Sequence, residues 1–313
     1  MGLSNAELLR KAAGPIGTGD FETSGILSAE QATSFLDAVY DATPFAALQR
    51  NERRRVKSGT VAKVGIGSRL LRPKTAGVDD ATLQKPSFGD VSYTCVAMRL
   101  DWEVEEEVLQ ENIEQEGFED HLMRLMTGQI GRDLEDLHFN GDDTSDDAML
   151  VANDGWLVQL AASGTTHRMN GASVNAGVIC KDHFFDAYQA LPDKCKNNPA
   201  GLRWLCSPTV ESRWLEYLTN RATAAGDAAL FGQAGRNPHG VPIQTIPAMP
   251  NTRLLLADPR NFIVVNTRDI RIRKTTEGRE AIREDKRYYA IFLNDDPIIE
   301  EDDGIVDTYG LAA

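Results

Sequence analysis

The sequence predicts an α+β fold in which a long β-hairpin precedes a long helix and an α/β domain follows them. Three patterns predict this order. Residues 56–104 alternate apolar and polar side chains, residues 104–138 repeat apolar residues at helical spacing, and helical and strand-like runs alternate from residue 178 onward.

The long helix is predicted over residues 104–138. From Phe118 its apolar residues advance by four, three, one, four, four and three positions, which is the stripe of an amphipathic helix, and no proline interrupts it. Gly117 is the expected bend, because it separates an acid-rich stretch from a mixed one. Asn140 and Gly141 are the expected stop, since a glycine readily adopts the left-handed backbone that follows many helices.

The hairpin is predicted from two alternating runs, TVAKVGIGSRLL and FGDVSYTCVAMRLDWEV, joined by a polar tip with one glycine and two prolines. An isolated two-stranded hairpin is only marginally stable in water and exposes two strand edges. We therefore expect this hairpin to lie on something else, which is a physical argument for an assembly.

Composition restricts the classes of function. The chain has 313 residues, is 42% hydrophobic and has a formal net charge of −14, which argues against a nucleic-acid grip over most of its surface. Four cysteines form no disulfide-like pattern, so we expect a reducing compartment. No apolar run reaches membrane-spanning length, and the first eleven residues lack the apolar core of a signal peptide, so synthesis in the cytosol is expected.

Motifs of catalysis and cofactor binding are missing from the sequence. There is no phosphate-binding Gly-Lys-Ser/Thr loop, no Gly-x-Ser-x-Gly elbow and no His-Glu-x-x-His. The acids Asp142, Asp143, Asp146 and Asp147 lack the glycine and glutamate of a calcium loop. A zinc site built on Cys180 and His183, with Cys195 and Cys206, is less favoured than core cysteines. We predict no catalytic, cofactor-binding or metal-binding residue and no cofactor.

A basic cluster at Arg53, Arg54, Arg55 and Lys57 allows two interpretations. It is either a solvated charge run or an electrostatic contact, with a neighbouring subunit's acidic helix start or with packaged nucleic acid. In so acidic a chain, a single cluster of this kind favours the protein partner.

Taken together, the order of parts resembles the major capsid proteins of tailed bacteriophages, which have the Hong Kong 97-type fold. Residues 25–44 match the family's N-terminal arm helix, 56–100 its extended E-loop and 104–138 its spine helix. LHFNGDD, with DGWL shortly after it, resembles the turn after the spine. WLCSPTVESRWLEYL, FGQAGRNPHGVPI, LADPRNFIVVNTRDIRI and RYYAIFLNDDPIIEEDDGIV resemble elements of the axial domain and the closing strands.

The resemblance implies four parts. These are an arm with a short helix (1–55), an E-loop hairpin (56–102), a peripheral domain with the spine helix (103–160 and 286–313) and an α/β axial domain (161–285). It implies a structural protein, not an enzyme, whose hexamers and pentamers close into an icosahedral shell around double-stranded DNA without specific binding. It also implies synthesis in a bacterial cytoplasm and a place in the virion, with no membrane partner.

Further expectations concern partners and contacts. About fifty residues precede the hairpin, too few for a fused scaffolding domain, so any scaffold is expected to be separate; a portal and a decoration protein are possible partners. One alternative is an encapsulin-type compartment, and another is a metal-dependent hydrolase using Asp142–Asp147 and the Cys and His residues. The predicted subunit-interface residues are Arg53, Arg54, Arg55, Lys57, Arg69, Arg72, Lys74, Lys85, Glu103, Glu105, Glu106 and Glu107.

Overall fold

A computed structural model describes residues 43, 45–65, 87–107, 117–197, 199–220, 237–267, 271–275 and 278–312. The expected arm helix and the hairpin tip, with Arg69, Arg72, Lys74 and Lys85, lie outside these residues. The strands are β1 (Arg50–Arg53), β2 (Ser58–Gly65), β3 (Ser87–Thr94), β4 (Val96–Glu105), β5 (His167–Asn170), β6 (Arg203–Cys206), β7 (Ile243–Thr245), β8 (Arg253–Ala257), β9 (Phe262–Asn266), β10 (Arg271–Thr275), β11 (Lys286–Ile299) and β12 (Val306–Tyr309). The α-helices are α1 (Gly117–Asn140), α2 (Trp156–Ala162), α3 (Lys181–Ala190), α4 (Asp193–Lys196), α5 (Pro208–Thr219) and α6 (Arg279–Glu284).

The strand β11 organises the first sheet, which contains β1, β4, β9, β10 and β11. The first part of β11 pairs with β4 and β10, and its last residues pair with β9. The sequence predicts two strand-like runs here, residues 287–293 and 296–300, but the structure has one continuous strand. Pro297 is accommodated because this end of β11 pairs with β9 alone, so a missing N–H need not break a second ladder.

The second strand of the predicted hairpin divides at Cys95. Residues up to Thr94 pair with β2 as an antiparallel hairpin, whereas β4 begins at Val96 and pairs with β11 over ten residue pairs. The prediction that residues 96–104 continue the hairpin was therefore wrong. The buried thiol of Cys95 donates to the carbonyl oxygen of Val265 at 3.3 Å and holds the chain where it changes sheets.

The predicted start of the long helix lies in a strand. Val104 belongs to β4 opposite Arg287, and helical residues begin at Glu106 and not at Val104. Alternating burial along β4 and pairing with β11 outweigh the helical propensity of the acidic run. The expected bend at Gly117 adjoins residues 108–116, outside the described part of the chain, and stays a prediction. Leu125, which the stripe placed inward, is 59% exposed.

The helix α1 ends at Asn140, where the stop was predicted, but Gly141 does not adopt the left-handed backbone that the prediction gave as the reason. The amide of Gly141 donates to the carbonyl oxygen of Leu137 at 2.9 Å, which closes the last turn. A Cβ atom at position 141 would lie 2.2 Å from the carbonyl oxygen of Asn153, so no larger residue fits here. The tight approach lets Gly155 donate to the carbonyl oxygen of Gly141 and starts α2 directly beside the helix end.

The second sheet has the strand order β5, β12, β8, β6 and β7. The strands of residues 203–206 and 253–257, and helices α3 and α5, match the predicted alternation of helices and strands. The two closing strands separate: β11 lies in the first sheet and β12 in the second. The predicted domain bounds stay a prediction.

One apolar core joins both sheets to α1 and α2. Trp156 packs edge-on against Phe139 and Phe262, with ring centroids 4.9 and 5.1 Å away, and Phe45 lies 5.7 Å from Trp156. Leu205 and Leu255 of the second sheet belong to the same buried cluster. The two sheets are therefore fixed relative to each other by shared burial.

The buried carboxylate of Asp307 holds three strands of the second sheet together. It has no exposed surface and accepts from Arg168 at 3.2 Å and from Arg253 at 2.5 Å. We expect Asp307→Ala to lower the free energy of unfolding of the unassembled chain by about 2 kcal/mol, because two arginines lose a buried partner but remain partly solvated. Urea unfolding measures this.

The matched control is Asp193→Ala, whose side chain is 99% exposed in its pair with Lys196. We expect it to change the free energy of unfolding by less than about 0.5 kcal/mol. Equal effects of the two substitutions would contradict the role given to Asp307.

Candidate subunit-contact surface

The base of the β2–β3 hairpin is anchored on the first sheet. Val61 and Tyr93 are buried in one cluster with Ile263, Val265 and Ile298. The Tyr93 hydroxyl donates to the carbonyl oxygen of Val56 at 3.2 Å, closing the base. This end of the hairpin is held by ordinary core packing.

The far end of the described hairpin is apolar and exposed. Val64 and Phe88 lie opposite each other in the ladder and are 65% and 77% exposed. Most of the surface of this cross-strand apolar pair therefore stays in water in the single chain. Its burial by another surface would stabilise a contact by roughly 1.5–3 kcal/mol per side chain.

A groove of about 560 Å³ separates the hairpin from the end of β11. Five of its lining residues are acids and one is a lysine, Lys63, whose ammonium donates to the carbonyl oxygen of Glu300 at 2.8 Å. The acids are Asp90, Asp154, Asp296, Glu300 and Asp302. The groove is therefore strongly electronegative.

Asp296 carries the clearest electrostatic effect in this groove. Burial, and then the neighbouring Asp295, raise its pKa to about 6, although the amide of Thr94 donates to it at 2.6 Å. The ionised form is thus disfavoured in the folded chain.

The acidic start of the predicted helix is paired within its own chain. Lys286 donates to Glu103 at 2.7 Å, and Arg287 holds Glu106 through two nitrogens at 2.5 Å each. These contacts bind the end of β4 to the start of β11. Glu105 and Glu107, in contrast, are exposed.

The basic cluster is also partly paired. Arg54 donates to Glu52 at 2.6 Å, and the side chains of Arg53, Arg55 and Lys57 reach the surface. A contact across subunits between the basic cluster and the acids of residues 103–107 stays a prediction.

Comparison with known proteins finds similarity over almost the whole chain. It is 27% identical over 319 residues to YqbE of Bacillus subtilis (strain 168), which carries the name of a prophage capsid protein; the match covers 97% of each chain. A satellite phage P4 procapsid structure superposes with a TM-score of 0.68 at 13% identity, covering 99% of this chain and 98% of that one. The chain has the Hong Kong 97-type capsid fold.

Other capsid-fold structures agree. A Gordonia phage Cozz chain matches with a TM-score of 0.60 at 15% identity, covering 87% of each chain. A virus-like particle from Pyrococcus furiosus matches with a TM-score of 0.52 at 12% identity, covering 88% of this chain and 96% of that one. No protein-family model matches. The resemblance to the capsid family is thereby confirmed; the assignment of β2–β3 to the E-loop hairpin and of α1 to the spine helix stays a prediction.

The described residues of this capsid fold gather one group of possible metal ligands. Carboxylate oxygens of Asp142, Asp143 and Asp154 lie within 4.8 Å of one another on the surface. Asp147 instead accepts from the amide of Met149 at 2.8 Å and so closes a turn. An exposed acidic group of this kind is common without a metal ion, and we assign it no site.

The Cys180–His183 pair is a helix cap. His183 donates from Nε2 to the carbonyl oxygen of Gly171 at 3.1 Å, so its Nδ1 accepts from the backbone amide of Cys180, and the Cys180 thiol lies 3.3 Å from the same atom. Both ring nitrogens are occupied and both side chains are buried. Burial raises the pKa of Cys206 to about 12, consistent with a core thiol.

Among the helices of the described residues, none is long and apolar enough to cross a membrane.

Two features of the candidate contact surface were not predicted from the sequence. The exposure of Val64 and Phe88 follows from their distance from the anchoring cluster, which alternation does not reveal. The groove depends on the contact between residues 94 and 296, which no local sequence signal predicts.

We expect Asp296→Asn to stabilise the unassembled chain at pH 7 and to have almost no effect at pH 4. The folded pKa lies above the ordinary value, so the wild type loses stability as pH rises from about 4 to about 6 and then loses no more. Discounted for partial exposure, the gain at pH 7 is about 1 kcal/mol. Urea unfolding of both proteins across this range measures it, and a difference that is the same at every pH would contradict the assignment.

Proposed function

We propose that the chain is a major capsid protein whose hexamers and pentamers close into an icosahedral shell around the double-stranded DNA of a tailed bacteriophage. The observation that supports this most is the extent of the likeness, because both the prophage capsid relative and the P4 procapsid chain match over almost the full length. In this proposal the chain is structural and carries out no catalysis.

The E-loop hairpin supplies the main contact of this proposal. Its base is fixed to the first sheet, and its far end presents Val64 and Phe88 without cover from its own chain. A neighbouring subunit that covers this end removes apolar surface from water. Each contact is modest, but closed symmetry repeats it in every subunit, which makes the assembled shell stable.

Electrostatic contacts between subunits fix how neighbouring subunits are oriented in this proposal. Arg53 and Arg55 are exposed near one end of the first sheet, and Glu105 and Glu107 are exposed at the end of β4. We propose that these groups pair between subunits, since Glu103 and Glu106 already have partners in their own chain. The predicted role of Arg69, Arg72, Lys74 and Lys85 at the tip belongs to the same proposal.

The net charge of −14 supports enclosure of DNA without specific binding, because an acidic wall does not adhere to phosphates. A separate scaffolding protein, a portal and a decoration protein remain proposed partners. Synthesis in the bacterial cytoplasm, before entry into the virion, is proposed with them.

An encapsulin-type compartment is the second candidate, since the likeness to the Pyrococcus furiosus virus-like particle shows that this fold also occurs outside the phage structures above. Copurification distinguishes the two: a host cargo protein indicates a compartment, whereas a portal, a protease and DNA indicate a phage head. A metal-dependent hydrolase is less favoured, because the thiols and imidazoles do not gather with the surface acids in the described residues. A monomer with a bound ion would support it.

We expect the purified wild type to form closed shells, visible by electron microscopy, and Phe88→Asp to prevent them. A charge at this position cannot be buried against an apolar neighbour without a large desolvation cost. The subunit itself should stay folded, because Phe88 is exposed in it.

Thr60→Asp is the matched control, since it adds the same charge at an exposed position of the same hairpin without removing apolar surface. Shells from the control and none from Phe88→Asp support the contact. Normal shells from Phe88→Asp would show that the end of the hairpin is not buried on assembly.

We expect reversal of the basic cluster, in Arg53→Glu/Arg55→Glu, to block assembly through repulsion by acids of the neighbour. Glu105→Lys/Glu107→Lys in the same chain should restore it, because the pairing is then reversed on both sides. Light scattering measures particle formation. Shells formed by Arg53→Glu/Arg55→Glu without the compensating glutamate substitutions would contradict the pairing.

A further inference from the structure

Glu135 is a buried acid where the spine helix meets two other segments. Its side chain belongs to α1, and the residue is only 6% exposed. The backbone amides of Ala248 and Phe45 donate toward its carboxylate and lower its pKa. One carboxyl group therefore connects the helix to residues 43–49 on one side and to residues 246–250 on the other.

Glu135 also lines a small cavity. Oε1 of Glu135 is buried and makes no hydrogen bond within the described residues. The cavity, of about 10 Å³, is lined by Thr43, Gln49, Gly131, His138 and Trp156, among others. An unpaired charged oxygen in such a place is costly, whereas a neutral carboxyl group is much less so.

Few charges compensate Glu135. On its own helix, His138 lowers its pKa and Asp136 raises it, and His138 is itself bonded to Asp295 at 2.8 Å. Residues 43–49, 246–250 and 156–162, which pack around it, contain no ionisable side chain. Burial is the largest effect, and the pKa of Glu135 rises to about 7.

The segment over Glu135 occupies a special place in the chain. Residues 43–49 precede β1 and lie in the last part of the stretch, residues 1–55, that the resemblance assigns to the N-terminal arm. Phe45 fixes this segment in the aromatic core, 5.1 Å from Phe139. Glu135 supplies the polar part of the same attachment.

We propose that Glu135 is a proton-operated anchor for the root of the N-terminal arm: the neutral carboxyl group keeps residues 43–49 on the spine helix, and the carboxylate favours their release. Release brings the carboxylate into water, where its ordinary pKa returns. Docking therefore takes up a proton. The inference depends on the fold of the single chain and not on shell formation.

The direction with pH follows from this difference. Docking is strongest below pH 4.5, the ordinary pKa of Glu135, weakens as pH rises to about 7, and is constant above that. Across this range the equilibrium between released and docked segments should change on the order of tenfold or more.

Hydrogen exchange of the full, unassembled chain, followed by mass spectrometry, tests the anchor. The protection factor of peptides covering residues 45–50, corrected for intrinsic exchange, should fall at least about tenfold between pH 5 and pH 7.5 in the wild type. Glu135→Gln keeps the size and the accepting oxygen but cannot ionise, so its protection should stay constant. Glu216→Gln, at an exposed position of α5, should behave as the wild type.

A second variant covers the case in which Glu135→Gln fails to fold. Asp136→Asn retains the oxygen that accepts from Asn140 but removes the negative charge that raises the pKa of Glu135. The midpoint of the pH dependence should therefore move to lower pH. Equal loss of protection in the wild type and Glu135→Gln, or an unmoved midpoint in Asp136→Asn, would overturn the proposal.

Discussion

The fold depends on burial of one aromatic cluster. Trp156, Phe139, Phe45 and Phe262 come from two helices, the segment before β1 and the first sheet, and no single element could bury its own ring without the other three. Dense packing of this kind tolerates little displacement, because a void of methyl size already costs stability. The positions of the second sheet and of residues 43–49 follow from it.

Polar groups at the edge of this cluster form hydrogen bonds that fix how its elements lie against one another. The Trp156 indole donates to the carbonyl oxygen of Ile298 at 3.2 Å, and Asn153 donates to that of Asp295 at 3.1 Å. With the His138–Asp295 pair, these bonds fix β11 lengthwise against the helix end. Apolar packing alone would restrict the sliding of β11 along the helix end less, because apolar contacts have no preferred direction.

The sequence predicted what is local and missed what depends on distant partners. Helices α3 and α5, the end of α1 and the hairpin itself carry signals within a few residues, such as Pro208 at a first helical turn. No local signal predicts the continuity of β11. Its residue Asp295 is buried against His138, which lies 157 positions away in the chain. The same holds for the contact surface, where alternation gives the face of a residue but not how far the supporting sheet extends.

The change of sheets at Cys95 has a mechanical consequence. The second strand of the hairpin continues covalently into β4, whose ladder with β11 comprises ten residue pairs. A pull along the hairpin therefore loads many of those backbone bonds together, in shear, instead of opening them one after another. Tension on the hairpin is thereby delivered to the longest strand ladder of the described residues, where it is shared among many backbone bonds at once.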